Sequence, residues 1–481
     1  MTNATPIFPT LALALLFATV AWPAGDARAT PSEAPAYPGS SEHALPTTGD
    51  FAFTGVTVIP MDRESTLADQ TVVVRDGRIT AIGPANEIEI PAGATVIEGA
   101  GRYLMPGLAE MHAHVPSGQN PPRELVEETL FLYVASGITT IRGMLGAAYQ
   151  LELRDEIRRG EVLGPDFYVG APSIRAQTAA TPADAEARVR EHHAAGYDFL
   201  KIHPGVPLAS WNRMVEVARE VGITFGGHVP ADVGIHHAIE TGMATIDHLD
   251  GFVEATRIEG LSFGSREALY RATDPDRLDA LARKIAEHGV WLVPTQYLWN
   301  HLNGYVDPDS ILALPEFRYI SPGQRMNYRN RAEANQRNPQ ITPESHAAHA
   351  EMRQELLAAA HRAGAPILMG TDSPQLFNVP GFALHREIPL MEAAGMSRFE
   401  VLETGTRIVA EYVEESLGQT ADFGTVAVGN RADLVLLEAN PLNDLAALQD
   451  RAGVMVAGRW LPRAEIDRRL EAIAAKYAEG S

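Results

Sequence analysis

Between Met105 and Leu417 the chain alternates short apolar runs with amphipathic helical pattern. The strand-like runs are Gly107 to His114, Gly137 to Met144, Asp166 to Ser173, Phe199 to His203, Thr224 to Val229, Ala244 to Leu249, Val290 to Gln296 and Pro366 to Asp372. Helical periodicity fills the gaps, as in Pro182 to Ala195, Leu208 to Val221 and Asp276 to His288. Eight strand–helix units over about 300 residues predict an α/β fold, a (β/α)8 TIM barrel. A doubly wound sheet is the competing arrangement, but no Gly-x-Gly-x-x-Gly follows the first strand.

The 481 residues are too many for one ordinary core, so a second domain is expected. Short β-rich segments begin at Phe51 to Ile59, Gln70 to Arg75, Arg78 to Gly83 and Ala94 to Glu98, with Asp76-Gly77 as a hairpin turn. The same texture returns at Thr425 to Val428, Ala432 to Leu437 and Gly453 to Val456. These ends predict one small β-sandwich built from 50–104 and 421–465, flanking a barrel over 105–420, with a C-terminal helix over 466–481. From Leu298 to Pro343 there is little periodicity. A long loop there, after the seventh strand, emerges at the catalytic face as a lid or substrate wall. The other reading is a helical excursion that packs on a neighbouring subunit of a homo-oligomer.

Residues 1–29 read as a signal peptide. Leu11 to Trp22 is apolar but short for a bilayer, and Ala27-Arg-Ala29 is a cleavage pattern. An apolar tail is the alternative, because residues 1–10 carry no Lys or Arg. Residues 30–49, rich in Pro, Ser and Ala, read as a linker, and the mature protein is expected in the periplasm or outside the cell. No later segment has eighteen uninterrupted apolar residues, so no membrane contact is expected after cleavage. A formal net charge of −22 argues against a nucleic-acid partner. The absence of cysteine excludes disulfides, thiolate metal ligands and cysteine nucleophiles.

Six residues sit at or near the ends of expected strands: His112, His114, Lys201, His228, His248 and Asp372. Strand alternation turns His112 and His114 to one side, where two imidazoles can bind one ion. His228 and His248 close consecutive strands; each alone is as well explained as a core histidine. Asp372, in Ile367-Leu-Met-Gly-Thr-Asp372, can ligate metal or accept a proton from bound water. Lys201 is the odd member, since an ammonium repels cations. It is either an ion-pair partner or an amine that has added carbon dioxide to become a bridging carboxylate.

This set resembles the amidohydrolase superfamily. The resemblance runs from about Phe51 to Leu461 and includes Met105-Pro-Gly-Leu before the His pair, Gly370-Thr-Asp372, and the run Gly429 to Leu437. It implies two divalent cations, zinc by default because histidine dominates the donors. His112, His114 and Asp372 would hold one ion and His228 and His248 the other, with carbamylated Lys201 bridging. The run Asp372 to Gly381, followed by His385, Arg386 and Glu387, is similar to a subgroup termed imidazolonepropionase-like. Carbamate-bridged, prolidase-like members are the closer chemical match. The implied reaction is hydrolysis of an amide-type C–N bond in a small molecule (an N-acyl amino acid, dipeptide or cyclic amide) by a bridging hydroxide, with Asp372 as proton shuttle. Ester, lactone or phosphotriester hydrolysis is the alternative on the same site, and a non-catalytic scaffold a more distant one.

Other signals are weaker. Gly260-Leu-Ser-Phe-Gly264 matches a nucleophile-elbow pattern, but the charged stretch before it is no buried strand. His203, Arg142, Gln296, Tyr297 and His385 are candidate substrate contacts, each with a structural alternative. The pairs His192-His193, His236-His237 and His346/His349 read as solvated helix faces.

Overall fold

Alternating apolar residues make strands of the segments after Asp50: β1 (Phe51–Val58), β2 (Leu67–Arg75), β3 (Arg78–Pro84), β4 (Thr95–Glu98) and β5 (Tyr103–Pro106). Parallel strands follow: β6 (Leu108–Ala113), β7 (Ile138–Gly143), β8 (Asp166–Val169), β9 (Leu200–Ile202), β10 (Phe225–Gly227), β11 (Thr245–Asp247) and β12 (Trp291–Val293). The chain closes with β13 (Leu434–Leu437), β14 (Arg451–Val456), β15 (Arg459–Pro462) and the helix Arg463–Glu479. The computed structural model describes residues 48–118, 120–259, 261 and 263–479. The expected signal peptide, almost all of the linker, and Gly260 and Ser262 of the Gly-x-Ser-x-Gly match lie outside the described residues.

The two ends of the chain share one sheet, ordered β15-β14-β13-β5-β1-β2-β3, with β4 added on β1. Asp76 and Gly77 join β2 to β3 with φ of 48° and 75°, positive at both positions as a type I′ turn requires. Phe53 of β1 meets Trp460 of β15 edge-on at 5.3 Å, packing the two ends together. Thr425 to Val428, expected as a strand, is irregular, while β5 and β15 were not foreseen.

The middle of the chain forms two parallel sheets, β6-β7-β8 and β9-β10-β11-β12. Isolated parallel bridges link them at Gly170–Phe199 and Ile174–Ile202 on one side. On the other side Leu292 bridges Ile367 and Ala113 bridges Ser373. The eighth expected strand, 366–372, is therefore present as a hydrogen-bonded segment but not as a regular strand. Its ladder is interrupted by a side chain. The buried Glu110 carboxyl receives the backbone N–H of His112 (3.0 Å), the N–H of Thr371 (2.7 Å) and the Thr371 hydroxyl (2.6 Å).

The 298–343 stretch is helical rather than a loop, with turns at Pro308–Leu312, Pro315–Tyr319 and Pro322–Arg337. Among the described residues no helix is long and apolar enough to cross a membrane.

Candidate metal centre

Four parallel strands and the 366–373 segment deliver side chains to one place. His112 lies in β6 and His114 just beyond it; Lys201 lies in β9; His228 and His248 directly follow β10 and β11. The His112 and His114 rings are 5.4 Å apart. His248 stands 4.6 Å from His112 on one side and 4.6 Å from His228 on the other. Asp372 completes the group. Its Oδ1 is 2.5 Å from His114 Nε2 and 3.7 Å from His112 Nε2, and its Oδ2 is 3.7 Å from His248 Nε2. Ligand atoms of His112, His248 and Asp372 all fall within 4.8 Å of one another.

Two of these residues hold unfavourable backbone. His248 and Asp372 have φ of 65° and 64°, in the left-handed region that L-residues avoid. Each such residue costs on the order of 1–3 kcal/mol, which the surrounding contacts must offset.

Burial sets the protonation of three of the rings. It drives the His112, His248 and His203 imidazolium forms well below the usual histidine range, and neighbouring cationic groups add to the effect. Neutral imidazole is the form that ligates metal. His248 Nδ1 is 2.8 Å from Thr295 Oγ1, which leaves Nε2 buried and without a hydrogen-bond partner. His228 Nδ1 is 2.7 Å from Asp250 Oδ2. A partner on one ring nitrogen orients the other toward a ligand.

Lys201 Nζ is buried and makes no hydrogen bond. Burial lowers its pKa, opposed by Asp247, whose Oδ2 is 3.8 Å away, and by Asp372. Asp247 Oδ2 also lies 2.9 Å from His112 Nδ1, in close contact but outside hydrogen-bonding geometry. Neutral imidazoles, a carboxylate and orphaned buried nitrogens at one point are a donor set that fits divalent cations.

Several expected substrate contacts are engaged by protein groups. Arg142 is buried and donates to Asp247 (3.0 and 3.3 Å), Met111 O (2.7 Å), Thr245 Oγ1 (3.1 Å) and the Tyr412 hydroxyl (3.1 Å). These contacts tie it to a buried acid, Asp247. Gln296 is also spent, accepting from Arg353 Nε at 2.7 Å and donating to Arg353 O at 2.8 Å. His385 contacts Ser136 O and Arg451, each at 3.2 Å, and none of the six. Tyr297 lines a separate cavity of about 340 Å³ with His301, Val306, Ile311 and Arg386. His203 stays beside the group, its ring 5.0 Å from His228. Two expected solvated histidines are buried, His192 edge-on to Tyr197 at 5.7 Å and His349 against Tyr270 at 4.8 Å.

Sequence reading missed Asp247, Asp250, Thr295 and Glu110. Asp247 had a signal: it shares a face of its strand with Thr245, so an acid was placed in the interior.

The profile of the amidohydrolase family matches residues 103–461, a span that includes every residue of this centre. The chain belongs to the amidohydrolase family. Adenine deaminase 3 of Rhizobium meliloti is 28% identical over 240 residues, 46% of this chain and 39% of that protein. The match thus spans about two-fifths of the length of that relative. A Bifidobacterium longum protein assigned as a prolidase is 26% identical, with a TM-score of 0.65 over 89% of this chain and 100% of its own. Bottromycin amidohydrolase, 23% identical, superposes with a TM-score of 0.66 over 89% of this chain and 92% of its own. The architecture shared with these relatives is α/β and TIM-barrel-like.

Proposed function

We propose that this amidohydrolase is a binuclear metal-dependent hydrolase that cleaves an amide-type C–N bond in a small molecule. The observation that carries the reading is the convergence of His112, His248 and Asp372 beside a buried lysine amine that has no hydrogen-bond partner. Family membership and relatives named as deaminase, prolidase and amidohydrolase support a C–N bond as the target. His112, His114 and Asp372 would hold one ion, His228 and His248 the second, with Lys201 carrying a carbamate between them. Zinc is the cation the histidine-rich donors favour.

Bound divalent cations supply Lewis acidity, which activates water and polarises a carbonyl. The chain's own groups do the rest. Asp372 Oδ1, 2.5 Å from His114 Nε2, is held in place to take the proton of the attacking water. As the water oxygen bonds to the carbonyl carbon and the C–N bond breaks, Asp372 returns that proton to the leaving nitrogen. Thr295 and Asp250 hold the rings of His248 and His228, and Asp247 with Arg142 backs His112.

The same reading takes the two parallel sheets and the 366–373 segment as one barrel, the terminal sheet as the small second domain, and residues 1–29 as a cleaved export signal. Sequencing the N-terminus of exported protein would show Thr30 first; an uncut Met1 there would contradict cleavage after Ala29. The function is tested by turnover of N-acyl amino acids, dipeptides and cyclic amides against esters, lactones and phosphotriesters. Amide hydrolysis abolished by a chelator and restored by zinc is expected. Turnover of the oxygen esters alone would contradict the amide assignment.

A further inference from the structure

Arg353 is not one of the six; it lies on the helix Pro343–Arg362 and is 4% exposed. Its guanidinium makes three hydrogen bonds, none to a carboxylate. Nη1 donates to the carbonyl of His248 at 3.0 Å, Nη2 to the carbonyl of Pro294 at 2.6 Å, and Nε to Gln296 Oε1 at 2.7 Å. Its face lies 5.4 Å from the Trp299 ring centroid, and that ring stands 5.9 Å from His248. A buried cation that binds neutral acceptors is costly unless those acceptors need fixing.

They do need fixing. His248, Leu249 and Thr295 have φ of 65°, 56° and 47°, so both strand tips are in the left-handed region. Arg353 holds the carbonyl of His248 itself. It also holds the residues on either side of Thr295, whose hydroxyl is 2.8 Å from His248 Nδ1. One planar group therefore fixes both the backbone of His248 and the partner of its ring. Glu387 completes the arrangement by accepting the backbone N–H groups of Gln296 and Tyr297, both at 2.7 Å.

We propose that Arg353 is a positioning residue that aims His248 Nε2 into the metal centre by clamping the tips of β11 and β12. This deepens the metal-centre reading and rests on it. Lysine retains the charge but cannot reach three coplanar acceptors.

The test uses the full chain carrying Arg353→Lys, with Leu356→Ala as control. Leu356 is buried on the same helix, so its truncation loosens the helix without touching the clamp. The readouts are zinc affinity by chelator competition, the absorption spectrum of the cobalt-loaded protein, and kcat and KM. Arg353→Lys is expected to weaken zinc about 10- to 100-fold, as loss of a group supporting a ligand does. It should also shift the cobalt spectrum and lower kcat more than KM, while Leu356→Ala does none of these. If Arg353→Lys does not fold, Gln296→Met removes one acceptor and should move the same readouts less. Wild-type affinity and spectrum in the clamp variant, or the same changes in Leu356→Ala, would overturn the proposal. A wild type that binds no zinc would instead overturn the metal centre, and the clamp with it.

Discussion

In the proposed function Asp372 is both ligand and proton carrier, from a backbone conformation that costs stability. Asp372→Asn keeps the shape and removes the base. The expected result is a kcat loss of about 10²- to 10⁴-fold with little change in melting temperature; retained turnover would refute its role. His385 behaves differently because it is buried away from the centre. Burial lowers its pKa from 6.5 to about 3, so the folded state refuses a proton that the unfolded chain accepts. Its depressed pKa contributes stability that is present above pH 6.5 and is lost as pH falls toward 3. Urea midpoints at pH 7 and pH 5 should therefore differ less for His385→Gln than for wild type. Equal differences would contradict that assignment. At this scale the six candidate ligands were legible because each stands at or beside a strand end. The role of Arg142 was not, because its partner Asp247 comes from β11 and the pairing depends on how strands are staggered across the interior.

Helices were read from hydrophobic period, which succeeded where one face packs a core and failed where little does. Leu208–Val221, which buries Trp211, Met214, Val215, Val217 and Ala218, forms as expected. Pro322–Arg337 buries only Tyr328, Ala332 and Asn335, so its apolar stripe is too thin to show. The overlooked signal was local chemistry: Asp307-Pro308, Ser321-Pro322 and Thr342-Pro343 each place an N-cap before a proline at the first helical position. At Thr342 the cap is reciprocal, its hydroxyl receiving the Ser345 N–H at 3.1 Å while Ser345 Oγ receives the Thr342 N–H at 2.9 Å. Thr342→Ala should cost about 1 kcal/mol in chemical denaturation; no loss would show that the helix is held by packing alone. The eighth strand was legible as a segment but not as an irregular one, since only the fold brings the Glu110 carboxyl against Thr371.

At the scale of the molecule, one sheet takes strands from both ends of the chain, and β13 pairs with β5 immediately before β6, the strand that carries the His pair. The terminal sheet thus continues directly into the parallel strands that hold the candidate ligands. The proposed function requires a two-ion centre in which Lys201 is a ligand once it carries a carbamate. The most direct measurement is metal content per chain by elemental analysis, for wild type and Lys201→Ala purified with zinc and bicarbonate. About two ions per wild-type chain are expected, as binuclear hydrolytic sites hold, with a clear loss in the variant. One ion or fewer in wild type, or undiminished metal in Lys201→Ala, would contradict that centre.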